Sequence, residues 1–271
     1  MLAMRSAPSL LPLLILLCML LWCPSMNGAT PAQGTQIQPQ SLAAAVAGVN
    51  KGNWADIEHV IAIAGPTQGT PILQDLFRNS QDTETKERIA SYLYRLGDRE
   101  DIYWSFILNQ ATLAVESDAP FPHPYDTKGK MEDQFSPGFA AWATTHGMST
   151  DAAVKAEWDR YNKILILAVT NDPRAIPVLR RGLNSPDELI ESISAKGLAQ
   201  LHDTDSIPLI VAACQRAPAD AATLIGEALI YYDDPEAQAA AETYLPKAKF
   251  GAIREQIRIY GDGPLIPMPR H

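Results

Sequence analysis

Asp172-Pro-Arg-Ala-Ile-Pro-Val-Leu, residues 172–179, returns 31 positions later as Asp203-Thr-Asp-Ser-Ile-Pro-Leu-Ile, residues 203–210. Under this shift Ile176 falls on Ile207, Pro177 on Pro208, Val178 on Leu209, Leu198 on Leu229 and Leu201 on Tyr232. A third copy opens at Asp234-Pro-Glu-Ala. A fixed period of this size marks stacked supersecondary units, none of which buries its apolar face alone.

Each unit reads as two helices. Asp172 is a good N-cap, and Pro173 occupies the first helical position, where a missing N–H costs nothing. Ile176, Leu179 and Leu183 then share one face at spacings of three and four. Asn184-Ser185-Pro186 interrupts the helix, and Ser185 is expected to cap the next one, with Asp187 and Glu188 favourable to its dipole. The apolar stripe of that second helix is Ile190, Ile193, Gly197, Leu198 and Leu201.

The pattern resembles the HEAT repeat, in particular its short bacterial variety, the PBS-lyase HEAT-like repeat. The matching residues are 172–179 for a first helix, and Ser185-Pro-Asp through Gly197-Leu-Ala-Gln-Leu for a second. An earlier copy is Pro71-Ile-Leu-Gln-Asp-Leu-Phe with Thr85-Lys-Glu-Arg-Ile-Ala-Ser-Tyr-Leu-Tyr-Arg-Leu-Gly. There Arg88 takes the place of the basic residue typical of HEAT second helices. The resemblance covers roughly residues 66–246 with one interruption. It implies an all-α solenoid of about five two-helix repeats, which with an N-terminal capping hairpin is expected over residues 41–246. It leaves the activity open, since such arrays serve as adaptors, lyase subunits and hydroxylases.

Outward from the repeats, Ser41 opens a short Ala-rich helix. Asn53 is expected to cap another, which carries Trp54, Ile57, Ile61 and Ala64, as an N-terminal capping hairpin. A unit follows from about Thr70 to Gly97, and the next begins at Asp98 with Ile102, Phe106 and Leu113 expected inward. The period then fails. Residues 116–149 hold four prolines among Phe121, His123, Tyr125, Phe135, Phe139 and Trp142, too long for a loop within an array, and so read as an insertion. Ser136, Pro137 and Gly147 bound one small helix inside it. The interrupted unit resumes at Ser149, with Val154, Trp158, Tyr161, Leu165 and Ala168 at helical spacing. Residues 247–260 suit a final capping helix, although Ile257-Arg-Ile-Tyr also fits extended chain, and 261–271 form a tail.

At the N-terminus, Arg5 precedes an unbroken apolar run from Leu10 to Leu21, which reads as a signal peptide over residues 1–29. A polar spacer over residues 30–40 follows. Export to the periplasm or the extracellular space is therefore expected. Removing Arg5 takes the formal charge from −9 to −10, and only Cys214 of three cysteines remains. An acidic chain without basic clusters is a poor partner for nucleic acid. A chain with a single cysteine forms no internal disulfide.

Carboxylates recur before the first helices at Asp98, Asp172, Asp203 and Asp234, and they read as helix caps in preference to a Ca²⁺ row. The His-Glu pairs by which the HEAT-like deoxyhypusine hydroxylases hold iron are missing; Glu58-His59 is reversed and single. There is no Gly-x-Ser-x-Gly elbow, and Cys214 sits in the apolar run 207–214 as a buried thiol. The expectation is therefore a scaffold binding a protein or peptide, with no catalytic, cofactor or metal residues. The alternative is an enzyme or lyase-like subunit with its site in the insertion. The expected contact residues are Phe121, Tyr125 and Trp142 of the insertion. They are joined by Glu188, Ser192 and Lys196 on the polar side of a second helix, in a wall that also includes Thr83, Glu87, Ser91, Thr223 and Glu227. Whether the rings of the insertion meet a partner or seal the interrupted unit stays open.

Overall fold

The computed structural model describes residues 41–53, 55–116 and 137–260. The expected signal segment, Trp54, Phe121, His123, Tyr125, Phe135 and the tail lie outside them. Among the described residues the chain is helical throughout, without a strand. It divides into two compact units, one holding 137–156 and the other the remaining described residues.

In the larger unit, α1 (Leu42–Asn50) is capped by Ser41, whose Oγ accepts from the Ala44 N–H at 3.1 Å. The second helix, α2 (Ala55–Asn79), breaks at Gly65, where φ is 73° and Pro66 restarts it. Asn53 does not cap it: its Nδ2 donates instead to the buried Asp56, which also holds His59 at 3.0 Å. Next come α3 (Thr83–Arg95), capped by Asp82, and α4 (Asp101–Glu116). Along this run, α2, α3 and α4 each pack on the helix before.

The inward face of α4 differs from expectation. Ile102 and Leu113 are 54% and 62% exposed, while Tyr103, Trp104, Ile107, Ala111 and Ala114 are buried. Both sets keep helical spacing, so periodicity alone does not choose between them. Phe77 of α2 does, meeting the Tyr103 ring edge-on at 5.0 Å between centroids.

In the smaller unit, α5 (Pro137–Thr145) falls on the small helix expected within the insertion. Ala143 packs there with Ala153, flanked by Trp142 and Val154. The long helix α6 (Thr150–Val169) begins in that unit and ends in the larger one. Of its expected aromatic stripe only Ala168 is fully buried. The innermost line is Ala153, Glu157, Arg160, Ile164 and Leu167. Two charged residues therefore sit where apolar ones were expected.

A 3₁₀ turn (Pro173–Ala175) leads into α7 (Ile176–Gly182), with Asp172 accepting from the Arg174 N–H at 2.9 Å as its cap. The cap of α8 (Glu188–Gln200) is Asp187, not Ser185. Asp187 Oδ1 accepts from Leu189 N–H at 2.9 Å, and Ser185 Oγ instead receives the Asp187 N–H and an Arg160 donor. A second 3₁₀ turn (Thr204–Ser206) precedes α9 (Ile207–Arg216). After it come α10 (Ala219–Gly226), a 3₁₀ turn (Glu227–Tyr231), α11 (Pro235–Tyr244) and α12 (Lys247–Tyr260). Ile257-Arg-Ile-Tyr is helical. Adjacent helices pair as α7 with α8 and α9 with α10, and α4 also packs on α7, α8 on α10 and α9 on α11.

One joint recurs. Helix α3 ends at Gly97 with φ 93°, α6 at Asn171 with φ 50°, and α8 at His202 with φ 51°. Each is followed by an Asp. At Gly97 and His202 the backbone closes with paired bonds, Asp98 N–H to Leu93 C=O at 3.0 Å and Asp203 N–H to Leu198 C=O at 3.1 Å. The Asp is then held by an earlier residue: Gln74 reaches Asp98 at 2.9 Å, Tyr94 donates to Asp172, and Arg180 reaches Asp203 at 2.6 Å. The left-handed conformation costs a non-glycine residue about 1–2 kcal/mol. His202→Gly is accordingly expected to raise the unfolding free energy by about 1 kcal/mol, read from urea midpoints at constant slope.

Candidate functional site

The polar face of the alternate helices α3, α8 and α10 is the surface expected from the sequence to form a wall. Thr83 is exposed and Glu188 half-buried, but Glu87, Ser91, Ser192 and Lys196 are all buried. Ser192 and Lys196, at 5% and 8% exposure, face α10 and do not form an open wall. The Ser192 hydroxyl points to the Leu224 carbonyl at 3.5 Å, and the Thr223 hydroxyl donates to Tyr244 C=O at 3.1 Å. Lys196 Nζ lies 2.9 Å from Glu227 Oε2, and Lys249 of α12 takes the other oxygen. Burial works against the Glu227 carboxylate, yet Lys196 and Lys249 outweigh it and hold the group below the usual range. Two helices and the turn after α10 are thus tied through one carboxylate.

At the opposite ends of the helices, arginines bind free carbonyls. Arg160 Nε donates to Ala114 C=O at 2.9 Å, its Nη1 meets Asp187 at 3.3 Å and its Nη2 meets Ser185 Oγ at 3.3 Å. Arg216 repeats the arrangement one step on, reaching Leu183 C=O at 2.8 Å and Glu191 at 3.3 Å. A cation on the last carbonyls of a helix is favourable through the dipole and satisfies an orphan acceptor. Burial pushes the Glu191 carboxyl up to about 7, in spite of Arg216.

On the edge of the joints, Tyr94, Trp104, Asp172 and Arg174 cluster although nearly eighty residues separate Tyr94 from Asp172 and Arg174 in sequence. The Arg174 guanidinium lies 4.4 Å from the Trp104 ring centre and 3.0 Å from Asp172 Oδ2. Arg99 stacks on Tyr94 at 4.7 Å and donates to its hydroxyl at 3.3 Å. Burial alone would raise the Asp172 carboxyl, but hydrogen bonds from Arg174 and Tyr94 bring it down to about 2. The cluster bridges the helices on either side of the interrupting residues.

Of the expected contact residues, Phe121 and Tyr125 lie outside the described residues. Trp142 is half-buried in the smaller unit and stacks on His146, with ring centres 4.4 Å apart. Glu188, Ser192 and Lys196 share one face of α8 at spacings of four. Sequence reasoning missed Arg160, Glu157 and Glu191. Their only signal was charge at core spacing, Glu157 to Arg160 being i to i+3.

The Ser206 hydroxyl donates to the Asp203 carboxylate, which Arg180 also holds. The Cys214 thiol is buried and pushed up to about 12 by that burial. Among the described residues no three His, Cys, Asp or Glu side chains converge as a metal site, and no helix is long and apolar enough to cross a membrane. Compared with protein-family profiles, curated proteins and solved structures, the chain matches none.

Proposed function

We propose that the chain is an exported scaffold of HEAT-like helix pairs, arranged as an α-solenoid, that binds a protein or peptide and performs no catalysis. The recurring joint carries this reading. A left-handed residue followed by an anchored Asp closes α3, α6 and α8 alike, which is what a repeating unit requires. Packing of α4 on α7, α9 on α11 and α8 on α10 supports it, because first helices stack on first and second on second in such an array. Export rests on the apolar stretch before residue 30, and the acidic charge argues against nucleic acid.

With Ser192 and Lys196 buried, the contact residues that remain reachable among those described are Glu188 and Trp142. A photo-crosslinking residue placed at each in turn, in producing cells, is expected to capture one common protein. Leu209, exposed on α9, serves as the control and is expected to capture none. Equal labelling from all three positions, or from none, would count against the reading.

A further inference from the structure

We propose that Glu87 makes the packing of α3 a proton-operated latch, closed while its carboxyl is neutral and loosened when it ionises. Glu87 is 4% exposed, and its Oε1 is buried without a hydrogen-bond partner. Four charges face it: Lys163 and Asp159 from α6, and Arg88 and Glu84 on its own helix. The two cations act on the carboxylate more strongly than the two anions, yet burial outweighs them all. Of the helices packed on α3, α2 brings Glu58 to Tyr92, and α4 brings the Trp104 ring against Tyr94.

The seam between α8 and α10 solves the same problem in the opposite way. There Glu227 is clamped by Lys196 and Lys249 and stays ionised. Glu87 and Lys163 feel each other without forming an ion pair. A buried carboxylate lacking both partner and hydrogen bond is costly, and the group avoids that cost by keeping its proton. Burial accordingly pushes Glu87 up to about 7.

The folded state then holds a proton that the unfolded state releases. The stabilisation is full below the ordinary carboxylate range and is lost as pH rises from there to about 7. Asp172 and Glu227, both lowered, act only at more acid pH. Glu191, raised like Glu87, acts in the same window with the same sign. The latch concerns the rigidity of the array and does not depend on what the array binds.

The test uses the full chain and its Glu87→Gln variant. Wild-type urea midpoints are expected to fall from about pH 5 to about pH 8, and the variant is expected to lose about half of that slope, Glu191 carrying the rest. Amide exchange in α3, corrected for intrinsic rates, is expected to speed up over the same range in the wild type and not in the variant. An unchanged slope in a folded Glu87→Gln protein would overturn the proposal. So would a wild-type Glu87 carboxyl carbon that titrates by NMR in the ordinary carboxylate range, a measurement that needs no variant at all.

Discussion

Replacing Arg160 with Ala is expected to lower the free energy of unfolding by about 3–5 kcal/mol. The guanidinium is 5% exposed and serves three elements at once: the last carbonyls of α4, the Ser185 hydroxyl and the cap residue Asp187. Its removal leaves a buried carboxylate without its cation and the Ala114 carbonyl without a donor. An uncompensated buried charge costs far more than the pair contributed, because desolvation has already occurred on both sides. The double variant Arg160→Met with Asp187→Asn is therefore expected to recover a good part of the loss, since Asn still caps α8 and no charge remains. Chemical denaturation followed by circular dichroism decides it. A single-variant change below about 0.5 kcal/mol would mean that the network contributes no more than an exposed ion pair.

Leu198→Ala should cost about 2–5 kcal/mol. Leu198 is fully buried, as is Leu229 at the matching place 31 residues on, in the turn after α10. Truncation leaves a cavity that the backbone closes poorly, because Gly197 already brings α8 tight against its neighbours. A Cβ placed there would sit 3.0 Å from both Ala168 and Leu179. Loss of protection is expected to spread through the C-terminal helices first, as units coupled mainly to their neighbours require. Hydrogen exchange resolved by peptide measures that order. Uniform loss of protection along the whole chain would argue for a single cooperative core instead.

The candidate site was legible only in outline. Glu188, Ser192 and Lys196 fall on one side of α8, since a spacing of four fixes a face whatever surrounds it. Their burial was not legible. It depends on α10 and α12 arriving with the Leu224 carbonyl, Glu227 and Lys249, and these partners lie tens of residues away in sequence.

The sequence alone determined the features set by local chemistry. The 31-residue period, the caps at Asp172 and Asp234, the buried Leu198 and Leu229 and the buried Cys214 all depend on neighbours within a turn or two, or on recurrence along the chain. Tertiary structure decided the rest. In α4 the stripes of Ile102 and Tyr103 both satisfy the helical period, and contact with Phe77 selects the second. In α6 the aromatic stripe yields the innermost line to Glu157 and Arg160, because the end of α4 and the Asp187 turn supply the polar partners that make a buried arginine tolerable. Ser185 gives up the cap of α8 to Asp187 because its hydroxyl is taken by that same arginine and by the turn. Helical spacing is fixed within the segment, whereas the choice of which face to bury is fixed by what stands opposite it.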